Sequence, residues 1–188
     1  MSQNLVLAGP GLRSGLRTVA FVALGVALIT LAAKIQIPFW PTPMTLHTLA
    51  VMAIAVAAGP RLATATFLAY LAAGAAGFPV FSGTPERGIG VAYMVGPTGG
   101  YLLGYLAASW ITGALAQGRG VIGRVLAMLA GLAVIYAAGL LWLAFYVPAG
   151  RIVALGFTPF ILGDLLKIAV VAVAAVFVPA HLLGKIGR

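Results

Sequence analysis

Residues 160–183 read FILGDLLKIAVVAVAAVFVPAHLL. A run this long and this apolar meets the ~20 residues that one bilayer crossing needs. Two charges sit inside it, Asp164 and Lys167. Three positions along a helix return to nearly the same face, so the two side chains are neighbours. Ionisable groups at bilayer depth are expensive and face a bundle interior, a cavity or each other. The pair therefore marks a polar site for something small, or else a charge pair that pins two helices together. The functional reading is the default for such residues, because a buried ion pair by itself is weak evidence of stability.

Composition extends that reading to the whole chain. The 188 residues are 63% hydrophobic and 7% charged, against about 25% charged in soluble domains. Mean hydropathy is +1.15. The expected fold class is an all-α integral membrane protein, a single membrane domain over residues 1–188. The net charge of +9 does not point to nucleic acid, because the basic residues are scattered singly with no run or stripe. There is no cysteine, hence no disulfide and no thiolate metal site. His47 and His181 are too few for a metal cluster, so no metal site is expected. No P-loop pattern occurs, so the chain itself should not hydrolyse ATP. A nucleophile–base pair is likewise missing, which argues against an intramembrane enzyme.

Apolar runs predict six spans, at 18–33, 45–58, 62–77, 96–116, 125–147 and 160–183. Pro38, Pro41 and Pro43 break the chain between the first two. Gly59-Pro60-Arg61 separates the second and third, which are short for full crossings. Six spans place both termini on one side. With the N-terminus inside, Arg13, Arg17, Arg61, Arg119, Arg124, Lys185 and Arg188 are inside, while Lys34, Arg87 and Arg151 are outside. That excess favours an N-in, C-in bundle; the expected location is a prokaryotic inner (plasma) membrane.

The long loops 34–44, 78–95 and 148–159 then all fall outside, on the side nearer Asp164. They are rich in Pro and Gly and carry Phe39, Trp40, Phe78, Phe81, Tyr93 and Phe157. Interrupted apolar segments point to binding sites in membrane proteins, and irregular backbone at membrane depth needs protein or a water cavity to satisfy it. These loops are expected to cap a pocket; the competing reading is an aromatic belt at the headgroups. Small residues recur every four positions in two rows, Ala65-Ala69-Ala73-Gly77 and Gly96-Gly100-Gly104-Ala108-Thr112. Internal helix packing is the expected use of each.

Four stretches together carry a family resemblance: IPFWPTPMTLHTLAV (37–51), GFPVF (77–81), VGPTGGYLLGY (95–105) and TPFILGDLLK (158–167). The chain resembles the BioY family, the biotin-specific substrate-capture subunits (S components) of energy-coupling-factor transporters. The likeness runs from about residue 18 to 183. At His47 the family often has glutamine, and Glu86-Arg87 lies in a loop that is usually richer in glycine. The resemblance implies a high-affinity biotin pocket near the outer face and partners in a membrane coupling subunit and two cytoplasmic ATPases. It implies no cofactor, since biotin is the cargo and ATP is hydrolysed by the partners. Ala23 and Ala27 on the first span look like the small-residue face that docks the coupling subunit. The alternative is a self-sufficient proton-coupled transporter, with Asp164 carrying the proton.

Biotin's chemistry then assigns roles. Asp164 accepts from the ureido N–H groups, and Lys167, with three donors and no acceptor, meets the ureido oxygen. Thr45 and Tyr93 add polar contacts. Trp40, Phe81 and Tyr101 wall the apolar part. Arg87 is the candidate for the carboxylate, unless it merely pairs with Glu86 in solvent.

Overall fold

The computed structural model describes residues 10–38, 44–83 and 89–177. Helix α1 spans Pro10–Lys34. Two short strands follow, β1 (Gln36–Ile37) and β2 (Met44–Thr45), antiparallel with Gln36 opposite Thr45. Then come α2 (His47–Ala75), α3 (Val91–Met94), α4 (Gly99–Ala116) and α5 (Val121–Leu143). A 3₁₀ turn at Ala149–Arg151 leads into α6 (Ile152–Gly156) and α7 (Thr158–Phe177).

Helix α2 is two arms, not one rod. On a straight helix His47 and Tyr70 would stand about 35 Å apart, yet their rings meet at 5.4 Å. The chain doubles back at Gly59, whose φ of 77° and ψ of 179° leave the helical region. Only glycine adopts that backbone cheaply, and Pro60 next in line starts the second arm with a φ already set for it. The end of α4 packs on this turn, and a Cβ at Gly113 would lie 2.6 Å from the Pro60 nitrogen. With the two arms counted, α1, α2, α4, α5 and α7 supply six helical segments.

Among the described residues, four helical stretches have the length and apolar composition of membrane spans: Ser14–Lys34, His47–Ala75, Val121–Leu143 and Ala149–Phe177, of which His47–Ala75 reaches that length only across both of its arms. Their outer faces are apolar too. Leu24, Leu141, Leu162, Leu166 and Val173 are all exposed. A surface of this kind fits a lipid environment rather than water, so the chain is a membrane protein.

The core is a set of close helix contacts permitted by small residues. Gly100 sits under Trp142, Gly104 against the backbone of Ile135, and Gly131 against Thr112. Gly100, Gly104, Ala108 and Thr112 are buried, so this row packs α4 on α5. The other row behaves differently from expectation. Ala65 and Gly77 are exposed, with Ala69 and Ala73 half-buried. The second arm instead turns Ala63, Thr66, Phe67, Tyr70 and Gly74 inward, because burying two aromatic rings outweighs burying small side chains.

Arg124 also departs from the sequence reading, which placed it in an inside loop. It lies in the first turn of α5, buried, and its Nη1 donates to the Ala175 carbonyl of α7 at 3.1 Å. In a helix that carbonyl would normally accept from the N–H four residues on, but that residue is Pro179, which has none.

Candidate ligand-binding site

A cavity of about 580 Å³ lies where the start of α2, the start of α4, the end of α5 and the start of α7 converge. That volume suits a small ligand. Gln36 and Thr45 of the strand pair, Ser82, Tyr93, Pro97 and Thr98 contribute from the connecting segments. His47, Thr48, Tyr101, Tyr105, Tyr136, Phe160, Asp164 and Lys167 contribute from helices. Described residues of the irregular segments on this side therefore border the hollow.

The polar centre is built on α7. Lys167 Nζ donates to Asp164 Oδ1 at 2.8 Å, an i,i+3 pair with both side chains buried. Tyr136 of α5 donates its phenol to Asp164 Oδ2 at 2.7 Å. The pair points at itself and at the cavity together. Opposite charges in contact neutralise each other, which lowers the cost of holding them away from water. Lys167 keeps two further donors, and each carboxylate oxygen keeps lone-pair capacity for a ligand N–H.

The remaining walls are held by their own bonds. Tyr101 donates to the Gly156 carbonyl at 2.7 Å. Tyr105 and Thr48 share a hydroxyl–hydroxyl bond of 2.7 Å. His47 stacks on Tyr105 with ring centroids 4.5 Å apart and planes 2° from parallel. Its Nε2 is buried with no hydrogen-bond partner among the described residues. Ser82 and Tyr93 join their hydroxyls at 3.1 Å. The 95–96 segment is tied to α5 by Trp142 Nε1 donating to the Gly96 carbonyl at 2.9 Å, and to the turn after α5 by the Tyr146 hydroxyl donating to the Val95 carbonyl.

Of the residues expected at the site, Asp164, Lys167, Tyr93, Thr45 and Tyr101 line the cavity. Phe81 does not. It lies behind Tyr93, stacked at 4.9 Å, with its edge toward Tyr70 at 5.4 Å. Gly74 makes room for that ring, because a Cβ there would overlap it. Trp40 and Arg87 lie outside the described residues. Ala23 and Ala27 are both on the exposed face of α1. Tyr136, Tyr105 and Thr48 were not foreseen, and nothing in their spacing from Asp164 announces them.

The BioY family model matches residues 2–183. This chain belongs to the BioY family. It is 39% identical over 159 residues to a probable biotin transporter BioY of Pyrococcus horikoshii, covering 85% of this chain and 94% of that one. It is 38% identical over 151 residues to the biotin transporter BioY of Thermotoga maritima, covering 79% and 88%. With the biotin transporter BioY2 of Lactococcus lactis it shares 34% over 162 residues, 84% and 87% of the two chains. Among solved structures, the S-component for biotin from an ECF-type ABC transporter matches with a TM-score of 0.72, covering 91% of this chain and 97% of that chain. At 24% identity that likeness speaks to the fold, and the BioY chain shares that S-component fold.

Proposed function

We propose that this chain is the biotin-binding membrane subunit of an energy-coupling-factor uptake transporter. It captures biotin on the outer side and delivers it inward with a separate ATP-hydrolysing module. The observation that carries this reading is the neutral Asp164–Lys167 pair, buried in the wall of a cavity of about 580 Å³, in a chain whose named relatives are biotin transporters. A bicyclic urea with an apolar tail matches such a wall. Its N–H groups meet Asp164, its carbonyl oxygen meets the spare donors of Lys167, and Tyr101 covers the apolar rings. Thr45 and Tyr93 serve as added polar contacts, Trp40 as a further wall, and Arg87 as the partner of the carboxylate. Charge-assisted bonds of this kind are roughly twice as strong as neutral ones.

The role is transport rather than catalysis. The bundle is multi-pass, with both termini inside a prokaryotic plasma membrane, and the cavity end faces out. The exposed Ala23–Ala27 face of α1 docks the membrane coupling subunit, which links the chain to two ATPases.

The test is equilibrium binding of biotin, desthiobiotin, thiamine and riboflavin to the detergent-purified protein. Saturable binding of biotin, with thiamine and riboflavin excluded, is expected. Indifference among the four, or no saturation with biotin, would overturn the reading. Asp164→Asn and Lys167→Ala should each weaken biotin binding by ~2–5 kcal/mol, the cost of breaking a buried charge pair.

A further inference from the structure

We infer that Tyr136 is a positioning residue for ligand recognition: it fixes the plane in which Asp164 offers its free lone pairs. The inference rests on the biotin-binding reading above. It begins from the fact that the two oxygens of Asp164 are held from two different helices. Lys167 of α7 holds Oδ1 at 2.8 Å and Tyr136 of α5 holds Oδ2 at 2.7 Å. A carboxylate on a single methylene has a broad, soft terminal torsion. One donor on one oxygen leaves that torsion soft. Two donors on opposite oxygens stop the rotation.

An ionised carboxylate has about four lone-pair sites. The protein occupies one on each oxygen, so the unoccupied sites are left in a fixed direction. A ligand head with N–H donors at fixed spacing is recognised by such a surface, and one without them leaves buried acceptors unpaired.

Tyr136 is itself placed firmly. Its ring is buried and lies in the cavity wall. The ring of Phe157, just ahead of α7, packs edge-on against it at 4.8 Å and 68°. Phe157 is not part of the cavity lining. A chain of contacts therefore runs from Phe157 through Tyr136 to Asp164, and only the last members meet the ligand.

The sequence offers a clean probe. Its acids number two, one a glutamate, Glu86, so Asp164 is the sole aspartate. Cell-free synthesis with aspartate labelled by ¹³C at the side-chain carboxyl gives a signal from this carboxylate alone. The full-length protein would be compared with Tyr136→Phe by that signal and by equilibrium binding of biotin and desthiobiotin, which share the ureido group.

Tyr136→Phe should shift the Asp164 carboxyl signal in the ligand-free protein. It should weaken both ligands by about tenfold to a hundredfold, as expected for losing one hydrogen bond to a charged group. In an Asp164→Asn background the same change should cost under about twofold, because its effect travels through the carboxylate. Phe157→Leu, which leaves the phenol in place, should weaken binding in the same direction by a smaller factor. This variant decides the matter if Tyr136→Phe fails to fold.

Binding within about twofold of the unmodified protein for both variants would overturn the proposal. So would an undiminished Tyr136→Phe penalty beside Asn at position 164. If the unmodified protein binds no biotin, the functional reading falls and takes this one with it. Tight binding by unmodified protein and variants alike removes only the role of Tyr136.

Discussion

Met44 occupies the space that a side chain at position 163 would need: a Cβ on Gly163 would overlap the Met44 sulfur. The contact seats strand β2 on α7 one residue from Asp164. Thr45, next along that strand, lines the cavity. Gly163→Ala should therefore push the strand pair off α7. Overpacking of this kind costs about 1–3 kcal/mol. A lowered melting temperature in detergent together with weaker biotin binding is the expected result. Unchanged binding would show that the strand pair does not help to shape the site.

Phe81 supports Tyr93 without reaching the cavity. Phe81→Leu removes the stacked ring, and aromatic pairs contribute about 0.5–1.5 kcal/mol beyond their buried area. Titration with biotin should report a loss of roughly threefold to tenfold. Retained affinity would mean that the Ser82–Tyr93 bond alone holds the tyrosine.

His47 carries a buried nitrogen that finds no partner among the described residues. Leaving such a group unsatisfied costs about 1–3 kcal/mol. His47→Phe keeps the stack on Tyr105 and removes the nitrogens, so thermal unfolding should move upward. A lower melting temperature would reveal a partner for that nitrogen in the membrane.

Arg124 stands at the end of α5 opposite the cavity. Arg124→Met deprives the Ala175 carbonyl of its donor, at a cost of about 1–3 kcal/mol. Stability should drop while biotin affinity stays unchanged. A parallel loss of affinity would show that the α5–α7 contact reaches the site.

What the sequence made legible follows from range. The Asp164–Lys167 pair is an i,i+3 relation on one helix, and spacing alone exposes it. The break at Gly59-Pro60 was readable for the same reason, since both residues act on their own backbone. Tyr136 lies 28 positions from Asp164, on another helix, and no periodicity links them. An aromatic residue in a capping loop, such as Phe81, can face the cavity or the bundle, and sequence does not separate the two. The deciding partner, Gly74, is a packing fact. Arg124 reads as a topology charge from sequence because its partner, the Ala175 carbonyl, lies 51 positions away on α7. Of the two small-residue rows, the one facing α5 is buried from Gly100 to Thr112 while the other is at most half-buried, and identical spacing cannot distinguish them.

The hairpin in α2 has one more consequence. Its arms, 47–58 and 60–75, are about 18 and 24 Å long, while the hydrocarbon layer is ~30 Å thick. The first arm has no exposed residue, so lipid meets the second, where Leu68 is exposed, and must pinch inward there, at fractions of a kcal/mol per Å of mismatch. One flank of the bundle therefore prefers short acyl chains, and reconstitution into thinner vesicles relieves a deformation that thicker ones impose.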